Sequence, residues 1–175
     1  MPSRRSPRGR SRGQRKRPIW VNIPFGAVAF TESVGNQALL QPEDWEPSFT
    51  GLSIDRAVLR AIVGYIVIQQ TVVGTAGTTG FWGIYMHDAG SATVPTFTTS
   101  GMSEVDWLRT GAFGCTTSVT GSLSAAEQAA IPINIAAKRR ISSRDQIQIC
   151  AQFGADAASP AGVLGGLLRF LVSIP

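Results

Sequence analysis

The chain contains one histidine, His87, and two cysteines, Cys115 and Cys150, in 175 residues. One histidine excludes His-rich metal sites and leaves any Ser-His-Asp arrangement a single candidate base. On a strand, Asp88 would point to the opposite face from His87, so the histidine reads as structural. Two cysteines this far apart form neither a CxxC pair nor a disulfide framework, and they read as buried apolar side chains in a reducing compartment. The segment Gly74-Thr75-Ala76-Gly77 lacks the Gly-Lys-Ser/Thr ending of a phosphate loop and reads as a turn. No uncharged apolar run reaches the length of a membrane span, because Arg60 and Arg169 break the two best candidates. Ile19 to Phe30 imitates a secretory signal, but the basic stretch before it is too long, and Asn22 and Pro24 interrupt the apolar run. These gaps leave an enzymatic reading, such as a cupin-like barrel, without its chemistry. No cofactor is expected.

Charge is the other scarcity. Eight of the 16 Lys and Arg residues lie within the first 17 positions, which leaves eight basic against 11 acidic residues in the rest. The net charge of +5 therefore divides into about +8 on the N-terminal segment and about −3 on the body. A basic patch over the folded surface is not expected on these totals. The body has nineteen charged residues, about half the usual share of roughly 25% for soluble domains. Lys138 is its only lysine. Subunit interfaces deplete Lys, Glu and Asp, so the composition predicts an obligate oligomer whose surface is largely covered by copies of itself.

The first 17 residues carry Arg4, Arg5, Arg8, Arg10, Arg12, Arg15, Lys16 and Arg17 among Ser, Pro and Gly, with no acidic residue. Such a segment has no apolar face to offset its ordering entropy, and its charges repel, so residues 1–18 are expected to form a disordered arm. Arginine binds phosphate in bidentate fashion and stacks on bases, which makes nucleic acid the expected partner. A nuclear-localisation signal read by an import receptor, or a solubilising tail, would use the same residues.

Residues 19–175 read as one all-β domain. Strands are expected over Ile19 to Thr31, over Ile54 to Val73 with a bulge or bend at Gly64, over Phe81 to Asp88, over Val105 to Cys115 with a kink, and over Val163 to Val172. Residues 36–51, with Pro42, Pro47 and the acidic trio Glu43, Asp44 and Glu46 around Trp45, read as a loop with room for one helical turn. The trio matches no calcium-loop spacing. Residues 89–101 and 116–130 read as long loops, and Ser124 to Glu127 fits a capping box. Small, polar Thr-rich stretches such as Ser91 to Gly101 and Thr116 to Glu127 are candidates for an outer surface. Ile131, Ile133, Ile135 and Ala137 alternate with polar or small residues. After Ser142-Ser143 the same holds for Ile147, Ile149, Ala151 and Phe153, so the two runs read as a β-hairpin. Seven or eight strands and no long helix leave a sandwich or barrel. Lys138, Arg139, Arg140 and Arg144 cluster at the end of the apparent hairpin, as second phosphate contacts or as ion-pair donors to an adjacent subunit.

Four stretches carry a resemblance. They are Arg4 to Arg17 followed by a strand, Arg56-Ala-Val-Leu-Arg60 running to Ile68, Val105-Asp-Trp-Leu-Arg109, and Ile133-Asn-Ile-Ala-Ala-Lys-Arg-Arg-Ile141 before a Ser-Arg-Asp turn. In these the sequence resembles the capsid proteins of small viruses with circular single-stranded DNA genomes, the circovirus-like group. The resemblance implies a single jelly roll of two packed four-stranded sheets and an arm facing inward. It also implies closed self-assembly around the genome, with about 60 copies in the simplest icosahedral shell, in virions built in the host nucleus. The chain is closer in size to coats of satellite RNA viruses, which keeps an RNA genome open. A cellular nucleic-acid-binding β-barrel such as an OB fold would need cations and aromatics across one sheet.

Overall fold

The computed structural model of the chain describes residues 17–49, 57–72, 79–88, 90, 94–97, 105–114, 128–155 and 160–174. Among the described residues there are eight strands: β1 (Ile19–Phe30), β2 (Gly35–Leu40), β3 (Ala57–Val72), β4 (Thr79–Asp88), β5 (Asp106–Gly114), β6 (Gln128–Ile141), β7 (Asp145–Phe153) and β8 (Ala161–Ser173). They form two four-stranded sheets, ordered β1-β8-β3-β6 and β2-β7-β4-β5, and every described pairing is antiparallel. Of consecutive strands, only β4 and β5 are neighbours in a sheet. That interleaving is the jelly roll, two Greek keys folded into a double sheet.

The sequence places each strand by its alternation. In β1, Val21, Phe25 and Phe30 are buried while Trp20, Asn22 and Pro24 are exposed. Both edge strands of the first sheet carry a proline, Pro24 in β1 and Pro132 in β6, where a missing N–H costs no ladder bond. The central strands β3 and β8 have none. Their core faces supply Leu59, Ile62, Ile66, Leu164, Leu168 and Phe170, all fully buried, against Trp82, Ile84, Ile147 and Ile149 of the opposite sheet. Each such side chain contributes about 1.5–3 kcal/mol on burial. Phe30, Phe113 and Phe153 pack ring to ring at 4.8–5.9 Å.

Three expectations are corrected. The runs 131–138 and 146–153 do not form a hairpin: β6 pairs with β3, and β7 with β2 and β4, in the other sheet. The Ser142 to Asp145 turn exists, with the Asp145 carboxylate accepting from Ser142 N at 2.8 Å and Ser142 Oγ at 2.9 Å, but it is a corner between sheets. Alternation marks which face of a strand meets the core, and two strands facing each other across a core show the same pattern as two paired side by side. Residues 36–51 are not all loop, because Gly35–Leu40 forms β2, a short strand with no β-branched residue to signal it. Beyond it lie one helical turn, Pro42–Trp45, and a 3-10 turn, Glu46–Phe49.

Gly64 is not the bulge of β3, since the register shifts between Leu59 and Ala61 and between Gln70 and Val72. Gly64 (φ 147°) and Gly166 (φ 154°) instead sit on adjacent central strands. A Cβ at Gly64 would strike the Leu167 carbonyl oxygen, and one at Gly166 the Tyr65 carbonyl oxygen. The kink of Val105 to Cys115 is present as the shift between Ile84 and Tyr85, which leaves Leu108 of β5 unmatched. Residues 1–16, most of the expected turn 74–80, the loop 116–127 with its capping box, and Cys115 lie outside the described residues.

Candidate nucleic-acid interface

The sorting of charge between the sheets defines the site. The strands of the first sheet contain five of the eight body cations, Arg60, Lys138, Arg139, Arg140 and Arg169, and no Asp or Glu. Those of the second contain Asp88, Asp106 and Asp145 against one arginine, Arg109. The body's overall deficit of about three charges thus conceals one basic sheet, contrary to the expectation from the totals.

Register gathers these cations near Arg17, the first described residue. Ile19 pairs with Val172, Val172 with Leu59, and Leu59 with Arg139, a single row across all four strands. Arg17 and Pro18 are exposed at one edge of that row, and Lys138, Arg139 and Arg140 are exposed at the other. Three strand spacings separate the edges, about 14 Å. Arg60 lies between them, donating from Nε to Ser173 Oγ at 2.8 Å. Arg169 lies further along β8, opposite Asn22, whose Oδ1 accepts from Arg169 Nε at 3.0 Å.

Of the residues singled out from sequence, Lys138, Arg139 and Arg140 share an end of the sheet with Arg17. Arg144 is exposed on the adjoining corner, where its backbone N donates to Ser142 Oγ at 3.2 Å. Arg139 is also an ion-pair donor, but to its own chain: Nη2 lies 3.0 Å from Asp106 Oδ1, both side chains being exposed. Arg4, Arg5, Arg8, Arg10, Arg12, Arg15 and Lys16 lie outside the described residues. Sequence reasoning missed Arg60 and Arg169. Counting charge strand by strand would have found them.

One member of the acidic trio has a local use. Asp44 Oδ2 accepts from Gln41 N at 2.8 Å and caps the short helix, while Trp45 enters the core. Among the described residues no three His, Cys, Asp or Glu side chains gather as a metal site. His87 lies on the outer face of β4, its ring 5.5 Å from that of Tyr85, and burial lowers its pKa against the opposing pull of Asp88. Both ring nitrogens are buried without a hydrogen-bond partner.

No protein-family model matches the chain. No curated protein matches it in sequence either. Among solved structures it is similar to a chain of cocksfoot mottle virus (11% identity over 100% of this chain and 93% of that one, TM-score 0.37). It is also similar to one of tobacco necrosis virus (11% identity, 87% and 95%, TM-score 0.38). A third is a chain of infectious bursal disease virus Gt strain (13% identity, 91% and 34%, TM-score 0.32). Superpositions this loose support no reading of function, and the jelly roll rests on the strand order itself.

Proposed function

We propose that the chain is a viral coat subunit that assembles with copies of itself into a small icosahedral shell and packages single-stranded nucleic acid through residues 1–18. Residues 19–175 form the wall. The observation that carries this reading is the placement of the arm's root on the one sheet that is basic and free of acidic residues. A run of eight cations beside a basic wall neutralises phosphate without reading sequence. The charge-poor body supports self-association, and the circovirus-like resemblance favours a DNA genome and assembly in the nucleus. Two four-stranded sheets are a poor match to the five-stranded OB barrel of the cellular alternative.

Native mass spectrometry of the purified chain tests assembly, and sequencing the nucleic acid within the particles tests the cargo. Particles of tens of copies carrying single-stranded DNA are expected. A compact monomer of about 18.6 kDa at micromolar concentration would contradict the coat reading, and particles carrying RNA would contradict the genome type.

A further inference from the structure

The first sheet has a second property that its cations do not explain: its outer face carries two large exposed rings. Trp20 is 43% and Tyr65 47% exposed, although most apolar side chains of the strands are buried or half-buried. Trp20 and Asn22 of β1 stand opposite Leu171 and Arg169 of β8, and Tyr65 of β3 stands opposite Leu167. Strand spacing and rise place the rings about 17 Å apart on one diagonal, a span that a few nucleotides of an extended strand cover. The Arg169 guanidinium lies 4.9 Å from the Trp20 ring centroid, held there by Asn22, and presents a second planar surface on the same column. Beside Tyr65 lies an open depression of about 320 Å³, floored by Gly165 and Gly166 and walled by Val67, Gln69 and Ala27.

A flat apolar face invites either another copy of the chain or a nucleic acid. Three observations favour the nucleic acid. The four strands hold no carboxylate to repel phosphate. Five cations share them, although Arg139 is tied to Asp106 of the other sheet, which leaves Arg60, Lys138, Arg140 and Arg169 to this face. Trp20 follows the end of the arm by three residues, so a strand held by the arm is delivered to this face. Aromatic rings interleaved with cations are what single-strand binding without sequence readout requires, because every base offers a π-face.

We propose that the outer face of the sheet formed by β1, β8, β3 and β6 is a stacking platform for the bases of single-stranded nucleic acid. Trp20 and Tyr65 are its stacking rings, and Arg169 is the cation between them. The inference rests on the packaging reading and adds to it a base contact that salt does not screen.

The test is the binding of oligodeoxythymidylate to the full-length chain stripped of nucleic acid, across a range of salt, followed by anisotropy of the labelled oligonucleotide and by tryptophan fluorescence. Trp45 and Trp82 are buried and Trp107 is half-buried against Phe97 on the other sheet, so the quenching that reports on Trp20 is the part lost in Trp20→Phe while affinity persists. Trp20→Ala with Tyr65→Ala weakens binding about tenfold at every salt concentration, leaving the salt slope unchanged, and phenylalanine at both positions restores it. Unchanged affinity in the double alanine variant, with an arm-dependent salt slope intact, overturns the platform and leaves packaging standing. Unchanged affinity with lost particles makes the face a contact between copies, which also overturns the platform. A full-length chain that binds no oligonucleotide refutes packaging and the platform together.

Discussion

The outer face of the β2-β7-β4-β5 sheet is covered by the chain's own residues, whereas among the described residues no connecting segment stacks on that of the β1-β8-β3-β6 sheet. On the covered face Phe97 stacks on Phe81 at 5.8 Å and meets Trp107 at 5.3 Å, and Trp107 meets Tyr85 at 5.4 Å. Beneath the rings, Gln148 Oε1 accepts from Tyr85 Oη at 2.6 Å and from Asn36 Nδ2 at 3.0 Å. Gln152 donates to the Glu32 carbonyl oxygen at 2.6 Å and accepts from Phe97 N at 3.3 Å, binding two connecting segments to the sheet. The β1-β8-β3-β6 face has arginines and two exposed rings instead. One sheet thus ties its polar groups together beneath a cover of rings, and the other keeps its cations exposed. Salt should act on the first sheet and pH on the second.

The largest effect expected is on the arm. If each of its eight cations neutralises one phosphate, the slope of log affinity against log salt approaches about −5.6 per subunit, and binding is blind to sequence. At full extension the arm spans about 60 Å, enough to follow a flexible genome inside a small shell. Deleting residues 1–17 should remove most of the binding and flatten that slope, with circular dichroism of the β-body unchanged. Retention of the full slope would move the phosphate contacts to Lys138, Arg140 and Arg144.

Next in size is the shared core. Ile149→Ala should cost about 2–5 kcal/mol in urea unfolding, because Ile149 is wholly buried between the sheets. A cost under about 1 kcal/mol would mean that the sheets are not packed as described. Gln148→Ala, on the covered face, should cost about 1–3 kcal/mol, since it leaves the Tyr85 hydroxyl and the Asn36 amide without their acceptor.

The covered face should also respond to pH. Burial raises the Tyr85 phenol well above its ordinary value and pushes the Cys150 thiol up to about 12. Both groups are therefore held neutral in the fold. Their contribution is complete below the ordinary thiol value, near 9, and is lost as pH rises from there towards 12. His87 works in the other direction: its pKa is lowered, so its contribution holds above about 6.5 and falls as pH drops below it. Tyr85→Phe and Cys150→Ala should each reduce the loss of thermal stability between pH 8 and 11. An unaltered pH profile in both would remove these groups from the account. The smallest effect expected is that of Arg139→Ala on stability, under about 1 kcal/mol, because its ion pair with Asp106 is exposed on both sides.

Much of this was legible in the sequence. The β class and most strands follow from alternation, as Ile147, Ile149, Ala151 and Phe153 show by reaching the core. Pairing was not legible: Ile133 and Ile149 carry the same pattern whether they lie side by side or face each other across the core, and here they face. The alternation also presented Gln148 as an outward residue, and it is one, but the outer face of its sheet is itself buried. The basic sheet was hidden for a related reason. A net charge sums over the surface, and only the strand order shows that Arg60, Arg140 and Arg169 share one sheet while Asp88, Asp106 and Asp145 share the other.

Ultraviolet crosslinking of intact particles, followed by peptide mass spectrometry, tests this division most directly. Nucleotide adducts are expected on the arm and on β1 and β3, at Trp20 and Tyr65. They are not expected at Tyr85, Phe97 or Trp107 on the covered sheet. Adducts concentrated on the covered sheet, with none at Trp20 or Tyr65, would contradict the assignment of the basic sheet to the genome.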